Sequence, residues 1–255
     1  MSDWNMKGLE WNDPRRLKSP AELTDWVEEV GFAPYFAGDI PGFSAEEMVS
    51  PDFWWTGDAA QDPWEWREII AAEHRVAYGK FFAGRAGFIS RAWLPVFANA
   101  RRDGFDFDGK WQSGAASRRE KAIMEFFVDV ESEDEPAFTG ARLMSTELKK
   151  MAGFGKGGEK NYPGILTGLQ MQLYLVIGGF RRRENKRGEP YGMAVSLMET
   201  PEGIWGYETL SAAYDEDPAA SWQRIFDHVK ARFPAADDEA VARLIGKRPG
   251  QEARE

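Results

Sequence analysis

The sequence predicts an α+β fold, and three observations carry that prediction. A helix-start pattern recurs, in which a capping Ser or Asp is followed at once by Pro, at Ser19-Pro20, Asp62-Pro63 and Asp217-Pro218. Paired apolar runs are broken by turns containing Gly, as in antiparallel hairpins: 75–82 with 86–93 around Gly84, and about 171–180 with 190–198. The chain of 255 residues is 43% hydrophobic and 29% charged, a balance that can bury a substantial core.

Each element follows from its local chemistry. "SPAELTDWVEEVGF" reads as a helix capped by Ser19 and stopped at Gly31. "AQDPWEWREIIAAE" reads as a second, with Asp62 as cap and Glu65 placed to close a variant capping box. "RVAYGKFF" and "AGFISRAW" form a hairpin turning at Gly84. Ser90 is the candidate cap of a helix running to Gly104, with Pro95 bending it or confining it to its later part. "DGFDFDGKWQSG" reads as a loop.

The next stretch has a different rhythm. "SRREKAIMEFFVDV" is expected to be a helix burying Ile123, Met124, Phe126 and Phe127, and "ESEDEPA" a linker or tight loop. Short helices follow in "STELKKMAG", capped by Ser145 and ended by Gly153, and in "NYPGILTGLQ", with Asn161 as candidate cap. Between them lies the Gly-rich turn "FGKGGEK". The hairpin then closes a sequence of helix, short helix, turn, helix and two strands, which is the order of a winged helix. In the tail, Trp222, Ile225, Phe226, Val229 and Phe233 form an amphipathic stripe, and "DDEAVARLIG" a last short helix. The sequence shows no internal repeat.

Composition excludes several classes of function. No cysteine is present, which rules out disulfides, thiolate zinc sites and cysteine nucleophiles and suits a cytoplasmic protein. His74 and His228 lie far apart, so no histidine-rich metal site is expected, and no cofactor is implied. No apolar run approaches the roughly 20 residues of a membrane span, and the polar start "MSDWNMKGLEWND" does not read as a signal peptide.

The charge is unevenly spread. The formal net charge is -10, yet residues 145–190 hold 9 bases and 4 acids, while residues 1–70 hold 5 bases and 15 acids. The bases are Lys149, Lys150, Lys156, Lys160, Arg181, Arg182, Arg183, Lys186 and Arg187. Arginine forks match phosphate oxygens, and a local basic island still binds locally, because the field of distant acids is screened over about 8 Å. The island reads as a double-stranded DNA contact through the wing; a solvated hairpin tip is the competing reading.

Other constellations are weaker. "KMAGFGKGGEK" lacks the spacing of a phosphate-binding P-loop and reads as a turn. Glu65 beside Trp64 and Trp66 is a candidate general acid or base in an aromatic pocket, although capping and core packing explain the same residues. Asp106 and Asp108 of "FDFDGKW" supply too few oxygens for a magnesium site.

Four segments, "WWTGDAAQDPWEWREII", "AYGKFFAGRAGFIS", "LKKMAGFGKGGEKNYPG" and "LQMQLYLVIGGFRRRENKRGEPYG", resemble the AlkZ-related winged-helix proteins over most of residues 20–245. The resemblance implies a winged-helix fold and an association with DNA, and looser similarity to the AlkZ DNA glycosylases. Those enzymes activate water with a Gln-x-Gln or Gln-x-Asp motif; here the same letters fall at Gln170 and Gln172. They sit where a helix hands over to a strand, and on a strand both would share a solvent or DNA-facing side.

The expected architecture is an acidic helix and hairpin domain at 1–111, a winged-helix domain at 112–200 and a helical segment at 201–255. The expected function is DNA binding, with glycosylase-like repair as its possible chemistry. The alternatives are a non-catalytic regulatory or protein-interaction module, and a small-molecule-binding protein using the aromatic N-terminal pocket.

Overall fold

A computed structural model of the chain describes residues 6–131 and 137–250. The acidic stretch expected to be a linker lies mostly outside the described residues, as does the end of the tail. The fold is α+β, with helices around two small antiparallel sheets.

The first unit begins with α1 (Pro20–Val30), capped by the Ser19 hydroxyl. Gly31 ends it at φ +91°, and a Cβ there would lie 2.5 Å from the Trp93 indole nitrogen, so both backbone and space require glycine. Strand β1 (Phe32–Pro34) and two 3-10 turns lead to α2 (Pro63–Glu73). Asp62 caps α2 and also accepts from the Trp55 and Gly57 N–H groups, folding the preceding loop onto the helix start. The expected capping box does not close: the Asp62 N–H goes to Asp58 O at 2.7 Å, leaving Glu65 without that partner. Strands β2 (Val76–Phe82) and β3 (Arg85–Ser90) turn through Ala83 and Gly84, both at positive φ, as a tight hairpin of the primed type requires. The sheet order is β1-β3-β2.

Helix α3 (Leu94–Arg102) starts only after a 3-10 turn, with Pro95 in its first turn. Pro95 thus confines the helix to the later part of the segment, and Ser90 makes no capping bond. Residues expected to form a loop instead contain α4 (Phe107–Gln112). Its local sequence is a poor helix former, but Phe107 is buried edge-on against Tyr174 at 5.3 Å, and this tertiary contact overrides propensity.

The second unit opens with α5 (Arg118–Met124), held by a complete capping box between Ser117 and Glu120. It continues through β4 (Leu143–Met144), α6 (Ser145–Met151), α7 (Tyr162–Met171), β5 (Val176–Glu184) and β6 (Pro190–Glu199). Ser145 does not cap α6; its hydroxyl accepts from that of Ser196 and ties the helix to β6. Asn161 precedes α7 in a left-handed conformation without a side-chain cap. Strand β5 begins later than expected. Helix α7 runs to Met171, and Leu173 sits at φ +60° in a buried turn whose carbonyl accepts from Arg102. The apolar run there fills the core as a turn, which periodicity alone does not separate from a strand.

The second sheet has the order β4-β6-β5. Its chain order of helix, strand, two helices and hairpin, with the first strand beside the third, matches that of the first unit, where two 3-10 turns stand in the place of α6. The chain therefore contains a topological repeat that leaves no trace in the residue pattern.

Short helices α8 (Pro201–Trp205) and α9 (Tyr207–Ser211) lead to α10 (Pro218–Arg232) and α11 (Asp238–Ile245). Trp222, Ile225 and Val229 of the expected stripe are buried, in one core with Phe32, Phe81, Phe97 and Val241. The C-terminal pair thus covers the first sheet and α3. A separate core gathers Ile123, Phe127, Leu148, Leu169 and Met198 in the second unit. No described helix is long and apolar enough to cross a membrane.

A buried charge cluster locks these parts together. The Arg102 guanidinium donates to Glu202 at 2.5 Å, to Asp106 at 3.2 Å, to the Tyr214 hydroxyl at 2.9 Å and to Leu173 O. Burial alone would favour its neutral form, and Glu202 foremost drives it the other way, so Arg102 stays charged. Removing one partner of a buried pair strands the other. Arg102→Ala is expected to cost about 3–5 kcal/mol in urea denaturation; a loss near zero would show that the cluster relaxes without it.

Candidate nucleic-acid interface

Two hairpins face each other across the junction of the units. Strand β5 packs against both β2 and α2. Arg67 of α2 holds that contact: its guanidinium lies 3.6 Å from the Trp64 ring centroid and 4.9 Å from that of Phe180 on β5. It is only 5% exposed, donates to Trp64 O, and pairs with Glu68 at 3.2 Å. Behind it, the Gln170 side chain accepts from Lys80 N at 3.0 Å and donates to Leu166 O, fastening β2 to α7.

Between the hairpins opens a cleft of about 1140 Å³. One wall is α2 with the first hairpin, which contribute Trp64, Arg67, Tyr78, Lys80 and Arg85; the other is the second hairpin, which contributes Phe180, Arg183, Tyr191 and Met193. Lys7 and Glu46 close one side. Lys7, Lys80, Arg85 and Arg183 are exposed, and their side chains form no salt bridge among the described residues. Glu46 is the one carboxylate lining the cleft among the described residues, and the N–H groups of Lys7 and Ala37 occupy its two oxygens. Burial pushes the Tyr78 phenol up despite the nearby Arg67 charge, so it remains neutral. The cleft is basic and ring-lined, in a chain whose formal net charge is -10.

The expected basic residues are all at the surface. Lys149 and Lys150 lie in the last turn of α6, which packs against β6; Lys156 and Lys160 follow in the Gly-rich turn. Arg181, Arg182 and Arg183 belong to β5 itself, and the hairpin turns at 185–189, carrying Lys186 and Arg187. A register shift between Arg181 and Arg183 breaks the simple alternation of their side chains. None of the nine forms a salt bridge among the described residues, although Arg182 lies near enough to Glu68 to offset part of the upward push that burial gives that carboxyl. Of the nine, Arg183 lines the cleft.

The catalytic candidates are placed otherwise. Gln170 and Gln172 are not on a strand: Gln170 is in α7 and 2% exposed, and Gln172 is the C-cap of that helix. Gln172 accepts from Lys110 Nζ at 2.6 Å and donates to Gly168 O. The expected shared outward face does not exist, because Gln170 lies within the helix and Gln172 caps its end. Glu65 is half-buried on α2, and neither it nor the glutamines line the cleft. Trp64 does line it, whereas Trp66 is fully buried in the core beneath the first sheet. Asp106 belongs to the Arg102 cluster. Among the described residues, no group of three or more histidine or carboxylate side chains could hold a metal ion.

Sequence reasoning missed Lys7, Arg67, Lys80 and Arg85. One signal was available: Lys80 is the single exposed position of an otherwise buried β2, beside a tight turn followed by Arg85.

The family model described as AlkZ related matches residues 17–246. The chain belongs to the AlkZ-related family. The match covers both sheets, the C-terminal helices and, apart from Lys7, the cleft lining of this AlkZ-related chain. No curated protein and no solved structure matches it.

Gln170 separates structural from chemical readings of the AlkZ-like letters. Its amide satisfies a backbone N–H in the first sheet, so Gln170→Ala is expected to lower stability by about 1–3 kcal/mol in urea denaturation. Unchanged stability would remove the structural account.

Proposed function

We propose that this AlkZ-related protein binds double-stranded DNA, with the second unit acting as a winged helix and β5–β6 as its wing. The observation that carries the reading is the convergence of unpaired cations. Arg181, Arg182, Arg183, Lys186 and Arg187 stand exposed along one hairpin, and that hairpin walls a cleft whose other cations come from the first unit. Exposed guanidinium groups without carboxylate partners are free to fork onto phosphate oxygens. The lysines of α6 and the following turn extend the same basic stretch. This is the electrostatic footprint of a backbone-binding surface within an acidic chain. In this reading residues 1–111 supply the facing wall, 112–200 the winged helix and 201–255 the support behind the first sheet.

The kinship with AlkZ makes excision of damaged bases the chemistry to test once binding is measured. The geometry favours binding without excision. Gln170 and Gln172 are engaged within the fold, Glu65 lies outside the cleft, and Glu46 is held by two backbone N–H groups. A non-catalytic, DNA-associated role is therefore the preferred form. A small-molecule pocket distant from the wing is disfavoured, since the cleft containing Trp64 is walled by the wing itself.

Fluorescence anisotropy on a random-sequence duplex across a salt series tests the reading. Each phosphate contact releases a counterion, so changing Arg181, Arg182 and Arg183 to alanine is expected to reduce the slope of log K against log salt by about 2–3. Equal slopes for wild type and variant would remove the wing from the interface.

A further inference from the structure

The cleft fits a narrower ligand than a duplex. We infer that it takes an unpaired stretch of DNA running off a duplex held by the wing; the inference rests on the DNA-binding reading above. Size comes first. At about 1140 Å³ the cleft is on the order of a small-ligand pocket, roughly 300–1,000 Å³. The cleft cannot enclose a duplex, whereas it has room for a short single strand.

The lining matches such a strand. Single strands are held by ring faces for the bases and a cationic groove for the backbone. Here Trp64 on one wall and Phe180 on the other both line the cleft, with the Arg67 guanidinium held between their rings. Opposite the first hairpin, β6 presents Tyr191 at 49% and Met193 at 75% exposure. Large apolar side chains on a polar, strongly basic hairpin gain nothing from water, and an unstacked base would cover them. Among the described residues no Asn or Gln side chain lines the cleft, and Ser145 and Ser196 are bonded to each other, so the described lining offers no amide group to read base edges. The expected recognition is therefore stacking and charge, tolerant of sequence.

The experiment compares anisotropy binding of the full chain to a blunt duplex, the same duplex with an oligo-dT overhang, and free oligo-dT at low salt. Wild type is expected to bind the overhang duplex about tenfold more tightly than the blunt one, the gain of at least one base stacked on a ring. The double variant Tyr191→Ala, Met193→Ala, both sites exposed and so outside the core, is expected to bring that ratio close to one. Arg85→Ala, on the facing wall, is expected to reduce the ratio without reference to either ring. Blunt and overhang duplexes bound equally by wild type, or a ratio unchanged in both variants, would overturn the inference and leave duplex binding intact. Absence of binding to all three DNAs would overturn the DNA-binding reading itself and this inference with it.

Discussion

The guanidinium of Arg67, held between Trp64 and Phe180, decides how the two halves of the molecule meet. A charge with 5% exposure is costly unless its donors and its field are answered. Here two ring faces, a backbone carbonyl and Glu68 answer it. A desolvated cation over aromatic faces contributes about 2 kcal/mol or more, and only in one geometry. Helix α2 and strand β5 are thereby fixed in register across a junction that the His74 ring, hydrogen-bonded to Gly178 O at 2.9 Å, also spans. Gln170 sets the second point of attachment, bonding β2 to α7 from behind. With two points fixed, the cleft between the hairpins becomes a defined shape.

That shape explains the location of the unpaired charge. The acidic excess of the chain is largely at the N-terminal end, and several of those acids are consumed locally, Asp62 by backbone N–H groups and Asp25 and Glu28 by Arg75. Glu184 and Glu189 share the second hairpin and Glu68 lies near Arg182, yet the exposed cations of the two hairpins form no salt bridge among the described residues. Local geometry, and not net charge, therefore sets the potential in the cleft, since fields at the surface fade over about a Debye length of 8 Å. Behind the cleft, the Arg102 cluster performs the opposite task. It buries its charges against Glu202, Asp106 and two tyrosines, and holds α3, α8 and the turn after α7 as one rigid support.

Elements with strong local grammar were legible in the sequence. Ser19-Pro20, Asp62-Pro63 and Asp217-Pro218 mark helix starts because capping and proline geometry are local facts. The β2–β3 turn at Gly84 and the basic hairpin were legible for the same reason. What failed depends on partners distant in the chain. Helix α4 exists because Phe107 meets Tyr174, and Ser145 gives up its cap to bond Ser196. The Gln-Met-Gln segment follows a helix that periodicity read as turning into a strand. The site was half legible: the unpaired arginines follow from composition, but Lys7, Lys80 and Arg85 join them only through the packing of β5 on β2 and α2. The topological repeat was invisible because two 3-10 turns replace a helix in the first copy.

The central claim is that the two hairpins form one binding face. Amide hydrogen exchange with and without an overhang-bearing duplex tests it most directly, because it reports where protection falls without presuming a residue. The account predicts slowed exchange together in 79–86 and 180–196, with α10 unchanged. Protection confined to the second hairpin, or absent from both while binding occurs, would contradict it.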